Sequence, residues 1–307
     1  MPHGKAREAP TSCRVGTIAG LVLAIMFAAA AARPVFAQPA AEELPRRIQQ
    51  AIQDGVEFIK GKQNADGSWA EMAGQPCGVT SLCTLALLYA GVPPEDPVIQ
   101  KALRYLRNYS AEEIDATYSV ALQTMVFCRA SPERDRAAIL DNVRWFEKTQ
   151  VKEPPHAGGW SYPGLVPDNS NSQFALLALY EAERTGVPVS PETWRLAAGY
   201  WERMQNPDGS WGYRAGHPGT GSMTCAGLAS LIIARKMVLP PTARVEGNSI
   251  DCCRPAADED DAVRRGLAWL ASRYSVSVNP GVGEEWLLYY LYALERVGRL
   301  SALRFIG

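Results

Sequence analysis

Asp115, Asp168 and Glu285 each stand beside the start of an apolar, helix-periodic run, on the loop side that can line a cleft. Two acids, or an acid and a base, flanking a sugar bond are the minimum for polysaccharide cleavage. Tyr118, Tyr162 and Tyr213 lie close by in sequence and suit a carbohydrate-binding cleft. A carboxylate at a helix start also caps free N–H groups, and that simpler role stays open for all three. Asp258-Glu259-Asp260-Asp261 is the densest acidic cluster. It opens a helix expected over 263–274, where the helix dipole favours negative charge, so it reads as a solvated cap. The only histidines are His3, His156 and His217. The last two sit in Gly/Pro-rich loops (PPHAGGW and AGHPGTG), a setting for turn-bonding residues. No phosphate loop, dinucleotide fingerprint or nucleophile elbow is present.

The elements that position these residues repeat. Gln63-Asn-Ala-Asp-Gly67-Ser-Trp69 recurs as Gln205-Asn-Pro-Asp-Gly209-Ser-Trp211, and a looser copy runs from Gln150 to Gly158-Gly159-Trp160. The Trp intervals are 91 and 51 residues, so the first holds two units and the second one. A unit of about 45–50 residues accommodates two helices and their loops. Ile48, Ala51, Ile52, Gly55, Val56 and Ile59 step by three and four, as on one face of an amphipathic helix. The run 79–90 is apolar almost all round and predicts a buried helix. Further helices are expected over 97–109, 117–129, 135–150, 173–184, 191–205, 223–237, 260–274 and 285–297, ten in all. Ser131-Pro132 and Ser190-Pro191 read as helix starts, and Gly91, Gly186 and Gly298 as left-handed stops. No strand is expected, and charge gathers on alternate helices (Lys101, Arg104, Arg107), so the pattern predicts an all-α fold in two helical layers. Gln, Gly and Trp of each repeat form a structural staple: Gln bonds backbone at the next helix start, Gly makes the turn, and Trp fills the joint.

Composition bounds the partners. The 307 residues carry 31 basic and 32 acidic side chains, a net charge of −1, with no basic stripe, so nucleic acid has no electrostatic footing. Lys5, Arg7 and Arg14 precede an apolar run over 15–32, and Val35-Phe36-Ala37 offers a small-x-small cleavage site. This is the plan of a signal peptide over 1–37, with Gln38 as first mature residue and an exported, periplasmic or extracellular, product. The body has no second apolar stretch long enough to span a bilayer. Export permits disulfides, and Cys77, Cys83, Cys128, Cys225, Cys252 and Cys253 remain after cleavage with their pairing open.

QNADGSW, GGWSYPG and QNPDGSWGY resemble the QW repeats of squalene–hopene cyclases and other terpenoid-cyclase and prenyltransferase-repeat proteins. The resemblance runs from about Glu42 onward and implies an (α/α)6 toroid around an apolar cavity, filling a single domain over 38–307. Ten helices are two short of that ring, so the resemblance implies an incomplete toroid. Such cyclases protonate an alkene with an Asp-x-Asp-Asp-Thr-Ala segment whose clustered carboxylates hold one proton. The matching place here is Asp168-Asn169-Ser170-Asn171: Asp168 matches the first Asp, but Ser170 stands at the proton donor and Asn171 replaces the third. A serine hydroxyl cannot protonate a carbon–carbon double bond. Asp251-x-Cys253 imitates the start of the prenyltransferase zinc set, but no His follows, so no metal site is expected. Pro76-Cys77-Gly78 is similar to the thioester of related toroids, yet Thr80 occupies the required Gln position. The expectation is an exported QW-repeat toroid without cofactor, non-catalytic, that binds a hydrophobic, isoprenoid-like molecule or a protein partner. The alternatives are a terpenoid cyclase-like enzyme and a polysaccharide-cleaving toroid, with Asp168 and Asp115 as candidate catalytic residues.

Overall fold

The computed structural model describes residues 38–238, 244–246, 249–251 and 261–301. The leader, Cys252, Cys253 and residues 258–260 of the acidic cluster lie outside them. The described chain is all-α, with eleven helices: α1 (Gln38–Gly61), α2 (Gly78–Tyr89), α3 (Pro97–Leu106), α4 (Ala111–Ile114), α5 (Thr117–Ala130), α6 (Arg136–Thr149), α7 (Asn169–Arg184), α8 (Pro191–Arg203), α9 (Gly221–Val238), α10 (Asp261–Ser272) and α11 (Leu287–Ser301). Ten are those expected from periodicity. The eleventh, α4, is a single turn closed by a capping box: the Glu113 carboxylate accepts the Ser110 N–H at 2.7 Å, and Ser110 Oγ accepts the Glu113 N–H. The expectation of no strand is corrected by a three-residue antiparallel pair, β1 (Arg244–Glu246) with β2 (Ser249–Asp251). None of the helices is long and apolar enough to cross a membrane among the described residues. The chain divides into two compact units, Met1–Gly55 and Val56–Gly307.

Two boundary expectations change. Ser131-Pro132 does not start a helix: Ser131 caps the end of α5, and its hydroxyl bonds Asp135, the residue that precedes α6. Ser190-Pro191 does open α8, with Pro191 in the first turn, where its missing N–H costs nothing. Gly91 and Gly186 have the left-handed backbone expected of them (φ 90° and 80°), whereas Gly298 lies inside α11, its helix continuing three residues further.

Two kinds of helix alternate in the second unit. In α5, α7 and α9 most residues are buried around the whole circumference, polar ones included. In α3, α6, α8 and α10 burial follows one stripe, as with Ile99, Ala102, Leu103 and Leu106 of α3. A stripe means one packed face and one wet face; all-round burial means neighbours on every side. The contacts agree: α2 packs on α5, α5 on α7, α7 on α9 and α9 on α11, while α3 covers α2, α6 covers α5, and α8 and α10 cover α9. The last helix of this buried series also reaches the first, where Arg296 Nη2 donates to Tyr89 Oη at 3.3 Å.

The Trp repeats tie the layers together with one geometry used three times. Gln63 Nε2 donates to the Gly67 carbonyl (3.0 Å) and to Val98 O in the first turn of α3 (2.9 Å). Gln150 does the same to Gly158 O and Thr193 O, and Gln205 to Gly209 O and Ala262 O. The amide therefore joins the carbonyl of its own turn glycine to a carbonyl in the first turn of the next covering helix. Each indole N–H donates to a carbonyl near the end of the preceding helix: Trp69 to Ile59, Trp160 to Phe146, Trp211 to Trp201, at 2.8–2.9 Å. Each Trp backbone N–H is taken by a hydroxyl in the next buried helix, Thr80, Ser172 and Thr224. The turn glycines are Gly67, Gly158 and Gly209, all with φ near 90°, and a Cβ on any of them would strike a backbone carbonyl of the covering helix. In the second copy the turn glycine is thus Gly158; Gly159 takes the place of Ser68 and Ser210, pressed against the Tyr200 ring.

Candidate functional site

Asp168 precedes α7 with extended backbone, and its fully buried carboxylate accepts Ser170 Oγ (2.7 Å), the Asn171 N–H (2.9 Å) and Asn171 Nδ2 (2.8 Å). It forms no ion pair among the described residues. Three donors and the helix start stabilise the charge that burial would otherwise penalise. Because α7 begins at Asn169, Ser170 and Asn171 sit in its first turn and not in a loop. Ser172, the next residue but one, holds the Trp160 N–H, so the segment is part of the repeat's framework.

Phenols crowd this helix start. Tyr118 of α5 stacks on Tyr162 at 6.0 Å and tilts against Phe174 at 4.4 Å; Phe174 stacks on Tyr289 of α11 at 6.3 Å. Tyr289 also donates its hydroxyl to Gln173 Oε1. Burial raises the pKa of Tyr118, and burial followed by the Asp168 charge raises those of Tyr162 and Tyr213. Burial acts likewise on Tyr289. These phenols stay protonated near neutral pH and serve as donors. Gln173 Nε2 and the Oδ1 atoms of Asn169 and Asn171 are buried without a partner in this same turn.

Asp115 is placed differently. It caps the C-terminal end of α4 in the left-handed conformation (φ 42°, ψ 40°) and does not cap α5, whose start has no side-chain cap. Its exposed carboxylate lines a cleft of about 270 Å³ together with Thr117, Trp145, Thr149, Trp160, Ser161, Tyr162, Pro163 and Gly164. The Thr117 and Thr149 hydroxyls donate to Ser161 O and Trp145 O, so they offer the cleft acceptor lone pairs. Tyr162 is the shared wall: it lines the cleft and feels the charge of Asp168. Glu285 is exposed in the loop before α11 and caps nothing, its backbone carbonyl accepting from Asn279.

The remaining candidates stay apart. His217 is exposed and its carbonyl accepts from Asn206, while His156 is half-buried with Nδ1 unpartnered. Asp261 opens α10 and pairs with Arg264 and Arg265, as a first-turn acid should. No group of three His, Cys, Asp or Glu suited to a metal occurs among the described residues. Cys77, Cys83, Cys128 and Cys225 are free thiols. A search against family models finds no match to the chain.

Sequence reasoning missed Thr117, Trp145, Thr149, Phe174 and Tyr289 as site residues. Tyr289, Tyr292 and Arg296 did carry a signal: their spacing of three and four puts them on one face of α11. The cleft had none, since its walls come from α5, α6 and the Trp160 loop.

Proposed function

We propose that this chain is an exported QW-repeat α/α-toroid, related to the squalene-cyclase-like proteins, that binds a hydrophobic, isoprenoid-like ligand without transforming it. The state of Asp168 carries the reading. Its carboxylate already accepts three hydrogen bonds, and the Ser170 hydroxyl points its proton at Asp168 and so has none to deliver to an alkene. The thrice-repeated Gln and Trp bonds, the succession of packed helices from α2 to α11, and the Arg296–Tyr89 contact support a ring of hairpins. Tyr118, Phe174 and Tyr289 supply the aromatic surface for an apolar ligand.

Native mass spectrometry of the protein from an exporting host tests this. An N-terminus at Gln38 and a retained lipid-soluble mass are expected; a bare chain overturns ligand binding, and an intact leader overturns export. Restoring the acids with Ser170→Asp and Asn171→Asp tests the catalytic half. Cyclised product from the double variant, with none from the parent, shows a cavity of the cyclase kind that has lost its acid.

The Asp115 cleft favours a second reading, a carbohydrate site, because it joins a free carboxylate to hydroxyl acceptors and aromatic walls. Cleavage needs a second acid, and Asp168 is sealed behind its own cap. Equal polysaccharide turnover by the parent, Asp115→Asn and Asp168→Asn would end the hydrolytic form of this idea.

A further inference from the structure

The first helix carries an apolar stripe that the repeat architecture does not use. In α1, Leu44, Ile48 and Ile52 are 60%, 52% and 41% exposed. Leu44, Ile48, Ala51 and Gly55 advance by four, three and four residues, the seam spacing of a helix that pairs with another helix. An isolated apolar side chain on a surface needs no explanation; a continuous seam does.

We propose that α1 pairs antiparallel with α1 of a second copy of this chain across a two-fold axis. The seam is complementary to its own reverse. Laid antiparallel, Leu44 of one copy falls over Gly55 of the other and Ile48 over Ala51, so each layer sets a large side chain on a small one. Space for Leu44 exists, because nothing lies within 4 Å of a Cβ built on Gly55. Charge runs the same way. Arg47 flanks the seam toward its N-terminal end and Asp54 flanks the same edge toward its C-terminal end, so reversal brings Arg47 of each copy beside Asp54 of the other. A parallel pair would instead align Arg with Arg and Asp with Asp, which like-charge repulsion disfavours. Asp54 is already oriented, accepting Gln50 Nε2 at 2.7 Å on the exposed surface.

Sedimentation equilibrium of the protein, purified from an exporting host as that host processes it, decides the matter. Over about a hundredfold range of concentration the mean mass should rise toward twice the monomer. Ile48→Glu should weaken the dimer at least about tenfold while leaving the near-ultraviolet circular dichroism of the tryptophans unchanged. Arg47→Glu and Asp54→Arg should each weaken it, and the two together should restore it, since exchanging the partners' signs recreates the pairing. A monomer at every concentration overturns the proposal, as does a dimer indifferent to Ile48→Glu. A dimer that the charge exchange fails to rescue overturns the antiparallel register. None of these outcomes bears on whether the second unit holds a ligand.

Discussion

Gly158 shows how narrowly one position can be specified. Its φ of 97° lies in the region that glycine alone enters freely, and an added methyl would fall on the Leu196 carbonyl. Gly158→Ala should therefore cost about 3 kcal/mol or more in urea unfolding, whereas Gly159→Ser, which restores the residue type of the other two repeats, must displace the Tyr200 ring instead. Thiol chemistry gives a second check at this scale. Burial pushes the Cys77 and Cys128 thiols up to about 12 and Cys83 up to about 11. The thiolate is the reactive form, so these three should resist iodoacetamide at pH 8 in the native protein and react once it is unfolded, as mapped by peptide mass. Rapid native labelling of Cys77 would contradict its burial. Asp96 gives the pH dependence. Its carboxyl lies below the usual range, chiefly through the hydrogen bond from Lys60 at 2.6 Å. A lowered folded pKa contributes stability above the unfolded value that is lost as pH falls through the folded one. The deficit of Asp96→Asn, about 1 kcal/mol at neutral pH, should close below about pH 4.

Between elements, the unit that lacks a Trp motif solves the joining problem by another means. Where Gln would bridge successive covering helices, Arg107 at the end of α3 forks onto Asp135 before α6, with Nε at 2.7 Å and Nη2 at 2.8 Å, and also reaches Ser131. Asp135 is only 4% exposed, so removing its partner strands a buried carboxylate. Arg107→Ala should cost about 3–5 kcal/mol in chemical denaturation, more than the roughly 1–3 kcal/mol expected for Gln63→Ala, which removes two neutral hydrogen bonds. A smaller cost for Arg107→Ala would mean that water replaces the guanidinium. The same comparison explains why the interval between Trp69 and Trp160 holds two units but no motif between them: an ion pair carries no motif, although the hairpin is present as α3 and α5.

Across the molecule, stability should follow the order of packing. Helices α5, α7 and α9 have neighbours on both sides in the buried series, and burial encircles them. Their amides should exchange slowest, with α10 and α11 opening earlier, because in a repeat array each unit is held by its neighbours. Uniform exchange across all helices would show that the Arg296–Tyr89 contact couples the last hairpin to the first strongly enough to make unfolding all-or-none.

The sequence by itself determined the helices and the staples. Periodicity of three and four located ten of them, because burial of a face leaves that imprint locally, and the Gln, Gly and Trp spacing located three joints, because their bonds span few residues or recur in copies. The capping of Asp168 was also legible, its donors lying within three positions. The roles of Asp115 and Glu285 were not: whether a carboxylate caps a helix depends on a turn that one residue of φ can redirect, as it does at Asp115. Only the tertiary structure gathered Tyr118, Phe174 and Tyr289 from three helices, and only it left Leu44, Ile48 and Ile52 in solvent. A periodic pattern tells that a face is apolar, but what covers that face is set by contacts between residues far apart in the chain.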